Sequence, residues 1–161
     1  MNMRRGFTLI EMLAVLAIIG VLLMAARPVH ELVLRRSQEQ TLREGLRSLR
    51  QALDTHRDAV LAGRVARGAQ GSPWPAQLQD LVDGVPLVDE SGQQRSDGAR
   101  LYLLRRLPRD PFADPELPAA QTWDTRASTS PPEAPAAGDD VFDVRVRNDG
   151  RALDGSTYRQ W

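Results

Sequence analysis

The sequence contains no cysteine and no lysine, and only 5% of its residues are aromatic. Without cysteine, disulfide bonds and thiolate metal sites are excluded, so an extracytoplasmic domain must be stabilised by core packing, a metal ion or neighbouring subunits. All basic residues are arginine, and the 21 basic residues balance 21 acidic ones to a formal net charge of zero. That balance gives no global electrostatic reason to expect nucleic-acid binding.

A long apolar segment lies close to the start of the sequence. It runs from Phe7 to Ala26 and is interrupted only by Thr8 and Glu11. As a helix it would be about 30 Å long, which is the thickness of the hydrocarbon core of a bilayer. Arginines flank it on both sides, so charge does not fix its orientation. A short basic stub is nevertheless easier to retain in the cytoplasm than the polar domain that follows. Hydropathy alone leaves a simple signal anchor as an alternative.

A glycine separates the basic start from the apolar segment, in the sequence RRGFTLIE at residues 4–11. An ordinary secretory signal has its cleavage site after the apolar centre, and no good site is present there. The motif resembles the class III signal of type IV prepilins and type II secretion pseudopilins. The resemblance implies that a membrane aspartyl peptidase cuts between Gly6 and Phe7 on the cytoplasmic side. It also implies that Phe7 is then N-methylated and that the apolar helix remains in the mature protein.

Glu11 is the unusual residue of the apolar segment. A carboxylate at the centre of a membrane helix costs about 2.5–3.5 kcal/mol, and the cost is smaller near a helix end, where Glu11 lies. Taken alone, Glu11 could be a tolerated interfacial acid. The resemblance implies a role in filament assembly, in which the Glu11 carboxylate attracts the freed α-amino group of Phe7 in a neighbouring subunit and sets the stagger between helices. Thr8, about one turn earlier, is expected to help satisfy this carboxylate.

Pro28 follows the apolar segment. The resemblance implies that it marks a helix kink, where the helix bends or melts in the filament, although a proline could equally end the membrane helix. Apolar residues beyond it recur at helical spacing, which favours a continued amphipathic helix. These residues are Leu42, Leu46, Leu49, Leu53 and Val60. His56 lies on the same stripe and is expected at the border of the core, not as a ligand, and His30 is expected to be exposed.

The rest of the sequence predicts a small head. Residues 75–82 are predicted to form a short helix, residues 113–139 a proline-rich loop pinned by Trp123, and residues 141–147 a half-buried strand. The predicted fold class is α+β and pilin-like, with a long N-terminal helix packed on a small antiparallel β-sheet head domain. The predicted order is a leader peptide at residues 1–6, a transmembrane half-helix at 7–27, an amphipathic half-helix at 28–62 and a periplasmic globular head at 63–161.

Two segments of the head resemble the major pseudopilin, the G component of type II secretion. One is LPRDPF at residues 107–112, a rigid turn that cannot lie in a central strand. The other is the succession of a strand, an Asp-Gly loop and a final tryptophan, where many members of that family bind calcium. The resemblance implies that Asp149 and Asp154 are candidate calcium ligands, with Ser156 and backbone carbonyls contributing. Alternatively these aspartates only form turns. The acidic pair at residues 139–140 is expected to be solvated.

The resemblance implies a structural function. The expected protein is a pseudopilin of a type II secretion system, assembled into a periplasmic pseudopilus that drives protein export. It would be a single-pass protein of the bacterial inner membrane with its C-terminal domain in the periplasm. Implied partners are further copies of the chain, other pseudopilins, the prepilin peptidase, membrane lipid, and the inner-membrane assembly platform with its cytoplasmic ATPase. No nucleic acid and no cofactor besides calcium are expected.

Two alternatives stay open at this point. One is a type IV pilin or a minor pilin-like subunit, although type IVa pilins commonly close a C-terminal loop with a disulfide that this sequence cannot form. The other is a signal-anchored periplasmic enzyme. With two histidines, no cysteine and no GxSxG arrangement of its serines, the sequence offers no nucleophile and base in a recognisable pattern, and no catalytic residue is predicted.

Overall fold

The computed structural model describes residues 7–161, without the side chains of residues 24–29. The chain divides into two compact units, Met1–Ser37 and Gln38–Trp161. Helix α1, Leu9–Leu61, contributes residues to both units. The predicted leader at residues 1–6 lies outside the described residues.

Within the first unit, the described side chains of α1 are exposed. They include large apolar side chains, such as Leu9 at 80% exposure and Ile10 at 75%. Phe7, just before the helix, is 81% exposed. In the part of the chain that the structure describes, no helix combines the length and the apolar character needed to cross a membrane. His30 is exposed, as predicted.

The second unit is built around the C-terminal part of α1. The apolar stripe predicted from the helical spacing is confirmed, since every member of it is buried. Its members are Leu42, Leu46, Leu49, Leu53 and Val60. His56 is also buried, and its Nδ1 lies 3.0 Å from the carbonyl oxygen of Pro73. Burial lowers the pKa of His56, which favours the neutral imidazole.

The second helix is shorter than predicted. The expected helix over residues 75–82 is reduced to α2, Asp80–Asp83. The turns before it are closed by i→i−3 hydrogen bonds, from Asp80 N–H to the carbonyl of Gln77 and from Leu81 N–H to that of Leu78, which is a tighter geometry than an α-helix. Gly84, at φ 76°, ends the helix in a conformation that glycine adopts without strain.

Within residues 7–161, four short strands form two antiparallel pairs. Strands β1, Val85–Pro86, and β2, Arg100–Leu101, make the first pair. Strands β3, Trp123–Arg126, and β4, Asp143–Val146, make the second, in the register Trp123 opposite Val146. Three-residue and four-residue 3₁₀ turns lie at Ala69–Gly71, Ala119–Thr122 and Tyr158–Gln160. The fold is α+β, with a long N-terminal helix followed by small antiparallel sheets, which is consistent with a pilin-like fold.

The predicted strand at residues 141–147 is confirmed as β4, but the predicted loop at 113–139 is not all loop. It contains β3, which pairs with β4. Trp123 of this strand is 2% exposed and packs into the core with the leucines of α1. Composition concealed this strand, since prolines flank it on both sides, at residues 115 and 118 before it and at 131, 132 and 135 after it. Trp123 does anchor the segment, as expected.

We expect Leu49→Ala to destabilise the second unit by about 2–5 kcal/mol, because Leu49 is fully buried and its truncation leaves a cavity in the core. Leu61→Ala is the matched control on the same helix, since Leu61 is 60% exposed. Denaturant unfolding followed by tryptophan fluorescence measures both. Equal midpoints for the two variants would contradict the placement of the stripe in the core.

Candidate functional site

The start of α1 is stabilised by a reciprocal contact between Thr8 and Glu11. Glu11 Oε2 accepts hydrogen bonds from the backbone N–H and from the hydroxyl of Thr8, each at 2.9 Å. The Glu11 N–H in turn donates to Thr8 Oγ1 at 3.3 Å. Because α1 begins at Leu9, Thr8 is the N-cap, and the pair forms a capping box. The contact predicted between these two residues is therefore present.

The capping box uses only part of the Glu11 carboxylate. Both hydrogen bonds from Thr8 end on Oε2, and Oε1 accepts none from the residues that the structure describes. The side chains of Phe7 and Glu11 are both exposed. Glu11 can therefore cap its own helix through one oxygen and offer the other to a positively charged donor.

Two other predicted features of the N-terminal segment are not tested by this geometry. Gly6, on one side of the predicted cleavage point, lies outside the described residues. The helical backbone of α1 continues through Pro28, but the side chains of residues 24–29 are not described. The kink at Pro28 stays a prediction.

Asp149 and Asp154 lie in separate ion pairs. Asp154 Oδ2 is 2.7 Å from Arg43 Nη2, while Asp154 Oδ1 accepts hydrogen bonds from the N–H and the hydroxyl of Ser156 at 2.9 and 2.6 Å. The hydrogen bonds from Ser156, and then the Arg43 guanidinium, hold the pKa of Asp154 below its ordinary value. Asp149 Oδ1 is 3.0 Å from Arg159 Nη1.

These contacts do not fit a calcium ion. Calcium needs six to eight oxygen ligands around one point, whereas the two carboxylates bind different guanidinium groups that an incoming ion would have to displace. Within residues 7–161, apart from the undescribed side chains, no group of three or more histidine, aspartate or glutamate residues could hold a metal ion. The assignment of Asp149 and Asp154 as calcium ligands stays a prediction, and the geometry does not support it.

Polar residues of α1 contact the end of the chain, and sequence reasoning did not identify them. Glu39 is 7% exposed, and its Oε1 accepts hydrogen bonds from the Leu153 N–H at 2.8 Å and the Tyr158 hydroxyl at 2.9 Å. Arg43 forms the ion pair with Asp154. Arg50 donates to three oxygens of residues 143–161. The signal available in the sequence was their spacing, which places all three on one face of α1 beside the buried leucines.

The acidic pair at residues 139–140 was expected to be solvated, and for Asp140 this is wrong. Asp140 is 6% exposed. Its carboxylate accepts hydrogen bonds from the Ser128 N–H at 2.8 Å, the Ser128 hydroxyl at 2.6 Å and the Ser72 hydroxyl at 2.5 Å. Burial acts to raise the pKa of Asp140, but these hydrogen bonds outweigh it and the net pKa is lowered. Asp139 remains exposed and accepts from the Gln70 amide.

The LPRDPF turn is part of the core of the second unit. The Trp123 indole N–H donates to the Pro108 carbonyl at 2.9 Å. Asp110 is 1% exposed, and its Oδ1 accepts from the Phe112 N–H at 2.8 Å. Asp110 Oδ2 has no hydrogen-bond partner among the described residues. Burial therefore raises the pKa of Asp110 above its ordinary value.

Comparison with known protein families gives a match at the start of the chain. A family model described as the prokaryotic N-terminal methylation motif matches residues 1–26. No curated protein and no solved structure matches the chain. The family match covers the apolar segment with Phe7, Thr8 and Glu11, and it supports a type IV pilin-like prepilin signal. A signal of this type suggests a membrane-anchored protein.

We expect Asp110→Asn to change how stability depends on pH. Because the folded-state pKa of Asp110 is raised above the unfolded value, the folded state retains this proton over a range where the unfolded state has lost it. Wild-type stability should therefore fall as pH rises through the folded-state pKa of Asp110. The asparagine side chain cannot ionise, so the melting temperature of the variant relative to wild type should rise from acidic to neutral pH.

Asp97→Asn is the control for this experiment. Asp97 is exposed, and its pKa is lowered, first by the hydrogen bond from Arg95. The melting temperature of Asp97→Asn relative to wild type should therefore fall from acidic to neutral pH, opposite to that of Asp110→Asn. A difference between Asp110→Asn and wild type that is the same at acidic and neutral pH would contradict an ionisable, poorly solvated Asp110.

Proposed function

We propose that the chain is the structural subunit of a pilus-like filament, a pseudopilin of a type II secretion system. The observation that carries this proposal is the N-terminal methylation motif over residues 1–26, together with an exposed Glu11 at the start of α1. A subunit of this class is stored in the membrane before assembly. The filament then grows by helix-to-helix packing, and its growth drives the export of folded proteins.

The membrane anchor is part of the proposal. Residues 7–27 form the anchor in the inner membrane, and the unit formed by residues 38–161 lies in the periplasm. The exposed apolar side chains of α1 support this, because a contiguous apolar surface of that size on a soluble protein is unusual and marks a lipid or protein contact. After assembly, the same side chains pack against helices of neighbouring subunits.

The proposed assembly contact joins Glu11 to the amino group of Phe7 in a neighbouring subunit. Cleavage after Gly6 creates that positive charge, and N-methylation retains it. The uncommitted Glu11 Oε1 supports the contact, since the neighbouring amino group can bind there without breaking the capping box. Each of the two charges is costly to leave unpaired in an apolar environment. The contact therefore acts mainly by fixing the stagger between neighbouring helices.

The choice of a secretion pseudopilus over a pilus rests on two observations. The chain has no cysteine and so lacks the disulfide common in type IVa pilins. The LPRDPF turn, which resembles the G component, is built into the core through Pro108 and Trp123. The subunit is not an enzyme in this proposal. The prepilin peptidase, the assembly platform with its ATPase and other pseudopilins are its partners.

Coexpression with a prepilin peptidase tests the class of protein. We expect the intact mass to decrease by residues 1–6 and to increase by one methyl group only when the peptidase is present. A Gly6→Leu variant should keep the precursor mass under the same conditions. If the wild-type mass stays unprocessed while the same peptidase processes a known prepilin, the proposal is wrong. The protein would then be a signal-anchored domain.

Two substitutions separate the capping role of Glu11 from its charge role. Glutamine can replace glutamate in a capping box, whereas alanine cannot. We expect both Glu11→Gln and Glu11→Ala to reduce the filament fraction about tenfold or more, because neither carries the charge that binds the Phe7 amino group. Glu31→Gln, an exposed residue of the same helix, should assemble as wild type.

The readout is the amount of processed subunit in sheared filaments from cells that overproduce the assembly machinery. Normal assembly of Glu11→Gln with failure of Glu11→Ala would show that Glu11 acts by capping α1. That outcome would contradict the proposed contact between subunits.

A further inference from the structure

The last part of the chain is bound to α1 by a line of three polar residues. We call Glu39, Arg43 and Arg50 the docking stripe, and residues 143–161 the C-terminal segment. Glu39 and Arg43 are one helical turn apart, and Arg50 lies two turns after Arg43, so the three share a face of α1. Each of them contacts the C-terminal segment directly.

Arg50 binds three oxygens that lie far apart in the sequence. Its Nε donates to Asp143 Oδ1 at 2.9 Å, its Nη1 to the main-chain oxygen of Trp161 at 2.6 Å and its Nη2 to the Val144 carbonyl at 3.2 Å. One guanidinium group therefore joins both ends of the C-terminal segment. A carboxylate and two main-chain oxygens are also the kind of ligands that a calcium ion collects.

Arg43 acts on the loop between those ends. It binds Asp154 at 2.7 Å, and its guanidinium carbon lies 4.1 Å from the centre of the Trp161 ring, which adds a cation–π contact. Arg159, within the segment, neutralises Asp149. Each carboxylate predicted to bind calcium thus already has a positively charged partner in the chain.

We propose that the docking stripe takes the place of a bound cation, so that the C-terminal segment folds onto α1 without calcium. A guanidinium supplies positive charge and several directed N–H donors at once, which suits it to carboxylate and carbonyl oxygens. Glu39 complements the arginines by accepting from the Leu153 N–H and the Tyr158 hydroxyl. This inference rests on contacts within residues 38–161 and holds whether or not the chain forms filaments.

Thermal unfolding of the full-length chain in detergent tests the proposal. All three tryptophans, Trp74, Trp123 and Trp161, belong to the unit Gln38–Trp161, so tryptophan fluorescence reports on that unit alone. We expect the same melting temperature in excess chelator and in about 10 mM calcium, a concentration above the dissociation constants of weak extracellular calcium modules. A melting temperature that rises in calcium and falls in chelator would overturn the proposal.

Substitutions then test whether the arginines of the docking stripe hold the C-terminal segment on α1. We expect Arg50→Gln to lower the melting temperature by about 5 °C, since it removes three charge-assisted hydrogen bonds from a unit of this size. Addition of calcium should not restore the melting temperature of this variant. Arg95→Gln is the matched control, because Arg95 forms an exposed local ion pair with Asp97 and does not contact the docking stripe.

Equal melting temperatures for Arg50→Gln and Arg95→Gln would overturn the proposed role of the stripe. Recovery of the Arg50→Gln variant by calcium would overturn the inference that calcium has no part in this segment. Arg43→Gln provides a milder second variant, since Arg43 makes one ion pair and one cation–π contact, whereas Arg50 donates three hydrogen bonds. We expect a smaller loss of melting temperature for it, also independent of calcium.

Discussion

The packing of apolar α1 side chains is the contact on which the second unit depends. The α1 leucines pack with Trp123 of β3 and with β4, and Ala59 and Val60 pack in a separate cluster with β1 and β2. Strands β3 and β4 are four residues long, and β1 and β2 only two. Pairs as short as these are not stable by themselves in water. The helix supplies the apolar surface that lets them form, and Gly45 permits the approach, because a Cβ there would lie 3.3 Å from Pro108 and 3.5 Å from Trp123. The LPRDPF turn thereby becomes part of the core.

Polar contacts fix where the loops lie on that core. Asp140 binds the segments containing Ser72 and Ser128 through three hydrogen bonds, and the docking stripe binds the C-terminal segment. Such contacts add modest net stability, but they are costly to leave unmade, which gives each loop one preferred position. A chain without cysteine uses these contacts where a secreted domain of similar size often uses disulfides.

The features predicted correctly from the sequence are those that a local sequence pattern encodes. Helical spacing identified the buried leucines of α1, strict alternation identified β4, and the ordered motif at residues 4–11 identified the prepilin-like signal. Sequence reasoning did not predict β3, the burial of Asp140 or the contacts of Arg50, because each depends on partners distant in the sequence. Charged residues at helical spacing look solvated until the segment that covers them is known. The arginine partners of Asp149 and Asp154 were not predicted either, and calcium binding by these two residues stays a prediction.

The absence of cysteine allows a direct test of the central claim, that the chain assembles through staggered α1 helices. If the Phe7 amino group binds Glu11 of a neighbour, Ile10 of one subunit lies near Ala14 of the next. A chain carrying both Ile10→Cys and Ala14→Cys, oxidised in membranes with the peptidase and assembly machinery present, should give a ladder of cross-linked multimers. Each single variant should give dimers at most. Monomers alone from the processed double variant would contradict the account.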